Sequence, residues 1–151
     1  MAEFYIDADS CPVKDEIYRV AYRYGLVVHV VANQSHRVPD NEAFRTVLVS
    51  DLFDAADDWI AEHAGPGDIV ITGDILLAAR CLELGCKVVG PRGRVFKDTT
   101  IGDALAAREA QAYLREMGVQ GGGPPPFQDR DRSRFLQRLD ELVQAVQREQ
   151  P

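Results

Sequence analysis

Short, continuous apolar runs alternate along this chain with amphipathic stretches, and that alternation predicts most of its elements. Residues 3-EFYID-7 and the valine-rich 26-LVVHVVA-32 run without a polar residue at every second position. Such runs fit parallel strands buried on both faces, since strands with one wet face alternate. Further strands are expected at 45-RTVLVS-50, 68-DIVIT-72 and 86-CKVVG-90. Between them, helical patterns run from Pro12 to about Tyr24, over 54–65 and over 74–85, stopping at Gly25, Gly65 and Gly85. Glycine just past a helix accepts the left-handed backbone that closes the last turn. Asp9 or Ser10 is the expected cap of the first helix, and Thr100 with Asp103 resembles a capping box for a helix ending near Gly118.

Strand and helix alternating four times specify an α/β fold: a parallel, Rossmann-like sheet with helices on both faces. The stretch 121-GGGPPPF-127 holds no regular structure. Residues 120–128 therefore read as a linker between an α/β domain at 1–119 and a C-terminal helix at 129–151. That helix carries Phe135, Leu136, Leu139, Leu142, Val143 and Val146 on one stripe, which predicts that it packs on the same domain.

Composition narrows the class. A chain of 151 residues with 46% hydrophobic and 27% charged residues is long enough for one real core. No apolar run approaches the roughly 18 residues of a membrane helix, and the first residues enter a strand without a signal-peptide pattern. The expectation is a cytoplasmic protein with no membrane partner. Cys11, Cys81 and Cys86 form no CxxC pair, and His29, His36 and His63 are scattered, so these residues read as buried thiols and isolated rings rather than a zinc site. The net charge of -7 argues against a broad basic face.

Charge becomes informative where it concentrates. Asp7 and Asp9 stand two residues apart at the end of the first strand, in 7-DADSCP-12. Two carboxylates ~4 Å apart repel by about 4 kcal/mol at an effective dielectric of ~20, so they point apart or share a cation. In a parallel sheet the strands end on one edge, where ligands sit. Asp74 leaves the fourth strand at that edge, and Asp54, Asp57 and Asp58 open the helix after the third. Asp9, Asp54 and Asp74 each also suit a helix cap, worth ~1 kcal/mol. Capping does not account for Asp7, nor for both Asp57 and Asp58. Clustered carboxylates without cysteine or histidine suit Mg²⁺ or Mn²⁺, and hence metal-assisted phosphoryl hydrolysis.

The stretches 7-DADSCP-12, 31-VANQS-35, 53-FDAADDWI-60, 70-VITGDILLAA-79, 91-PRGRVF-96 and 130-RDRSRFLQ-137 together resemble the YaiI/YqxD family of bacterial proteins. The likeness spans nearly the whole chain, and it names a fold more firmly than a function. That fold resembles the PIN-like and NYN-like nucleases, whose parallel sheet carries a metal-binding acidic cluster at its carboxyl edge. The resemblance implies Asp7, Asp57 and Asp74 as catalytic metal ligands, with Asp9 and Asp58 as further ligands and RNA ahead of DNA as substrate. Leu76 stands where the family usually has proline, and Gly90 where a polar residue is common.

Other residues near that edge have weaker claims. Arg92, Arg94 and Lys97 follow the fifth strand with no acid among them until Asp98, so they grip a phosphate backbone or form a solvated turn. Asn33, after the second strand, contacts substrate or closes a turn. Ser10 and Lys14 are within reach of a phosphate, with Ser10 also suited to capping. Arg130, Arg132 and Arg134 are offset by Asp129 and Asp131, as in a solvated helix start. Trp59, Tyr18, Tyr22 and Tyr24 read as core or core rim. The C-terminal helix covers the core or pairs subunits. Two alternatives stay open: a domain that binds metal or RNA without turnover, and a haloacid-dehalogenase-type phosphatase with Asp7 as nucleophile.

Overall fold

The structure, a computed structural model, describes residues 2–119, 123 and 125–149. A six-stranded sheet in the order β3-β2-β1-β4-β5-β6 forms its centre. The strands are β1 (Glu3–Asp7), β2 (Val27–Ala32), β3 (Phe44–Leu48), β4 (Ile69–Ile71), β5 (Lys87–Val89) and β6 (Val95–Phe96). The first five are parallel, in the α/β arrangement that the apolar runs predict.

Continuous apolar strands work here because helices cover both faces. Phe4, Ile6, Val28, Val30, Ile69, Ile71 and Val89 point to one face, where α1 (Lys14–Tyr24) and α5 (Asp129–Glu149) pack. Tyr5, Val31, Val70 and Val88 point to the other, beneath α2 (Ala55–His63) and α3 (Ile75–Glu83). The α5 stripe enters the first core through Phe135, Leu139, Val143 and Val146, all essentially inaccessible. Burying such side chains contributes roughly 1.5–3 kcal/mol each, which holds α5 on the sheet. Within the expected linker, Gln120, Gly121, Gly122 and Pro124 lie outside the described residues.

Several local expectations are corrected. The segment 91–98 is more than a loop, because Val95 and Phe96 pair antiparallel with Val89 and Val88 as an edge strand. Neither Asp9 nor Ser10 caps α1. Both lie in a 3-10 turn at Ala8–Ser10, and α1 begins four residues later, at Lys14 behind Val13. Thr100 gives its hydroxyl to the Lys97 carbonyl and makes no cap bond to α4 (Ile101–Glu116). Asp54 precedes α2 in left-handed backbone, φ 65°, without a side-chain cap bond. Asp131 is buried rather than solvated and holds Arg92, while Arg132 reaches Glu16 at 2.8 Å. Tyr22 is 75% exposed, unlike Tyr18. Among the described residues no helix is long and apolar enough to cross a membrane.

Candidate functional site

The strand order reverses direction between β1 and β4: from β1 the chain builds outward to β2 and β3, then returns to place β4 on the other side. The two βα connections diverge there and leave a crevice at the carboxyl edge, the usual ligand position in open α/β sheets. Asp7 is the last residue of β1, and 72-TGD-74 is the turn that leaves β4. The first turn of α2 brings Asp57 in from a third stretch of chain.

Thr72 ties the crevice together. Its hydroxyl donates to Asp7 Oδ2 at 3.0 Å and accepts from the Asp74 amide at 3.0 Å. Asp74 is also the helix cap that the sequence allows, with Oδ1 accepting from the amides of Leu76 at 2.9 Å and Leu77 at 3.4 Å. Capping and crevice position thus coincide in one residue. The Asp57 carboxyl faces that of Asp74. Burial, then the charges of Asp74 and Asp7, push the Asp57 carboxyl up to about 7. Burial likewise raises Asp7, against the Thr72 hydrogen bond and with added repulsion from Asp74 and Asp9. Three carboxyls from three segments therefore crowd one crevice, and a proton held by Asp57 offsets part of their repulsion.

Asp9 and Asp58 belong less directly to that group. Burial alone would raise Asp9, but its bonds from the Asn33 amide at 2.7 Å and from His36 at 2.9 Å outweigh it and hold the carboxyl low. Asp9 thereby fastens the loop after β2. Asp58 points across from α2 to Arg80 on α3, at 2.9 Å, with both side chains about half exposed. Lys14 gives its ammonium to the carbonyls of Cys11, at 2.7 Å, and Ala8, at 3.3 Å, so it staples the 3-10 turn. Ser10 is exposed on that turn, and Asn33 is exposed beside it. Arg92 bonds Asp131 at 3.3 Å and the Pro125 carbonyl, while Arg94 lies over the Phe96 ring at 5.0 Å. Lys97 is exposed after β6.

Thr72 and His36 were not singled out from the sequence. Thr72 carried one signal, a hydroxyl between a strand end and an aspartate; His36 lies in a polar loop with none. Among the described residues, no three acidic, histidine or cysteine side chains already surround one cation position. The oxygen donors of Asp7, Asp57 and Asp74 nevertheless fit a hard divalent ion chemically. Mg²⁺ in particular keeps its waters and commonly takes only one or two carboxylates, with substrate oxygens completing the shell.

The comparisons with known proteins agree with the whole-chain likeness. The profile described as "Uncharacterized BCR, YaiI/YqxD family" matches residues 5–145. A UPF0178 protein of Rhodospirillum rubrum is 54% identical over 147 residues, 97% of this chain and 98% of its own length. Another from Parvibaculum lavamentivorans is 53% identical over 151 residues, 100% of this chain and 99% of its own. A third, from Sphingopyxis alaskensis, is 55% identical over 144 residues, 95% and 94% of the two chains. No solved structure matches significantly. The chain belongs to the YaiI/YqxD family.

Proposed function

We propose that the carboxyl edge of this sheet is a divalent-cation site at which a phosphodiester is hydrolysed, in RNA ahead of DNA. The observation that carries the reading is the meeting of Asp7, Asp57 and Asp74 at the β1/β4 crevice, where burial and the charges of Asp74 and Asp7 raise Asp57 to about 7. A purely structural carboxylate gains from its position; here two of the three are destabilised as anions. Mg²⁺ or Mn²⁺ bound there would lower the pKa of a water and steady charge on a phosphoryl oxygen. Asp7 and Asp57 would supply oxygen ligands, Asp57 losing its proton as the cation enters. Thr72 would fix the Asp7 carboxylate, and the two α3 amides would fix Asp74.

Nothing in the geometry favours a covalent phosphatase. Of the lysines that follow β4, Lys87 pairs with Glu149 and Lys97 is exposed beyond β6. The test is cleavage of a labelled single-stranded RNA with Mg²⁺ or Mn²⁺. Wild type should cleave, Asp57→Asn should lose about 100-fold or more of the rate, and EDTA should abolish it. Strand binding without metal-dependent cleavage would select the non-catalytic reading.

A further inference from the structure

The chain is acidic overall, with 24 acids against 17 Lys and Arg, but its cations are unevenly placed. A groove of about 810 Å³ runs between the β5–β6 hairpin and α5. Arg92, Arg94 and Lys97 line one bank, and Arg134, Arg138 and Arg148 line the other. Glu141 is the single carboxylate among the described lining residues.

Ion pairing leaves most of that charge available. Arg92 pairs with Asp131 at 3.3 Å and Arg138 with Glu141 at 3.2 Å. Among the described residues, Arg94, Lys97, Arg134 and Arg148 have no ion-pair partner. Outside the groove, by contrast, Arg132 on the same helix meets Glu16 at 2.8 Å, and Lys87 meets Glu149 at 3.6 Å. An acidic protein that leaves four cations unmatched along one cleft makes a local field of the opposite sign to its net charge.

The geometry is that of a track. Positions 134, 138, 141, 145 and 148 recur at alternating steps of four and three, so they form one stripe along α5. From Arg134 to Arg148 that stripe spans ~21 Å at 1.5 Å per residue. Gly93 holds the banks together. Its φ is +92°, and a Cβ there would come within 2.7 Å of Arg134 Cγ and 3.0 Å of the α5 backbone. The hairpin therefore rests directly on the helix, and the cleft closes to a narrow floor at that point. Arg92 and Arg94 also line a second cavity, of about 710 Å³, which reaches Gly73 and Ile75 on either side of Asp74. The two cavities thus share Arg92 and Arg94, and the second brings the cationic side of the molecule to the residues that flank Asp74.

We infer that this groove holds the phosphate backbone of a single polynucleotide strand and leads it toward the acidic edge. The direction of the strand rests on the proposed hydrolysis; the binding does not. A row of cations suits a periodic polyanion, and a cleft closed at its floor by a glycine–helix contact admits one strand more readily than a duplex. Arg134, which resembles part of a solvated helix start in the sequence, becomes a strand-binding residue.

The test is fluorescence anisotropy of the full chain with a labelled single-stranded RNA of about 12 nucleotides, in EDTA so that nothing is cut, across a salt series. Arg134→Gln/Arg148→Gln changes two exposed, unpaired side chains, and an unchanged melting temperature checks the fold. The double variant should bind roughly tenfold or more weakly, and its log–log salt slope should fall by about 1.4, at ~0.7 per phosphate contact in single strands. Arg94→Gln should move both quantities in the same direction by about half as much. No binding by wild type, or wild-type affinity and slope in the double variant, would overturn the inference. So would equal binding of an RNA duplex or of polyglutamate of the same charge. Cleavage is read separately with Mn²⁺: tight, salt-dependent binding without cleavage overturns the hydrolysis and leaves the groove standing.

Discussion

Asp68 and Asp57 stand at opposite edges of the same sheet and show two uses of one side chain. Asp68, just before β4, accepts the Glu3 amide on one oxygen at 3.0 Å and the Gly65 amide on the other at 2.9 Å. It ties the start of β1 to the turn before β4, and its charge is met by backbone donors. Asp57, at the carboxyl edge, meets carboxylates instead, those of Asp74, Asp7 and Asp54. Proximity to other acids is therefore a poor guide by itself. Donors mark an aspartate that serves the fold; mutual repulsion among carboxylates marks one that the fold tolerates for another reason. Asp74 combines the two, since it caps α3 and also faces Asp57.

The sharpest way to break that contrast is to exchange function for stability at the two edges. Asp57→Asn should abolish metal-dependent cleavage, by about 100-fold or more, while holding or raising the melting temperature of the metal-free protein, because it removes like-charge repulsion. Asp68→Ala should do the reverse. It strands two backbone amides, costing ~2 kcal/mol, and should lower the melting temperature by roughly 4–8 °C for a chain of this size with cleavage rates unchanged. Thermal melts and rate measurements on both variants decide the matter; a joint loss of fold and activity in each would erase the distinction.

A pH series sharpens it further. Asp57 keeps its proton to about pH 7 in the folded chain, against an ordinary value of 3.8. The folded state then binds more protons than the unfolded state between those values. Its contribution to stability is complete below about 3.8 and is lost as pH rises through about 7. Melts of metal-free wild type should decline across that window, and the decline should shrink in Asp57→Asn. Mn²⁺, competing with the same proton, should bind more tightly as pH rises through about 7 and restore the lost stability by mass action. The smallest effect belongs to Asp58, already paired with Arg80 at a half-exposed position. Asp58→Asn should cost no more than ~1 kcal/mol and alter Mn²⁺ affinity by less than about threefold, as titration and melting would show.

The sequence carries the sheet well because burial on both faces leaves continuous valine and isoleucine runs that no surface strand would show. It carries β6 poorly. Two residues within a basic turn supply no period, and their pairing depends on β5 lying alongside. Asp7, Asp57 and Asp74 are legible as a group because strand ends in a parallel sheet share an edge, which topology alone guarantees. Which acids stay in the group is not legible. Asp9 turns to the Asn33 amide and His36, and Asp58 turns to Arg80, through contacts 24, 27 and 22 residues away in sequence. The groove was hidden for a similar reason: its two banks are separated by some 40 residues, and Asp140, beside the α5 arginines in sequence, is engaged elsewhere with Arg23.

A divalent cation at the carboxyl edge would take the place of the proton that Asp57 keeps to about pH 7. Calorimetric titration of Mn²⁺ into metal-free wild type and Asp57→Asn, slightly above neutral pH and with a short non-cleavable strand present to complete the shell, addresses it directly. The account predicts saturable binding with proton release in wild type, and in Asp57→Asn binding at least tenfold weaker with that release lost. Binding of equal strength and equal proton release in the two proteins, or none in either, would contradict it.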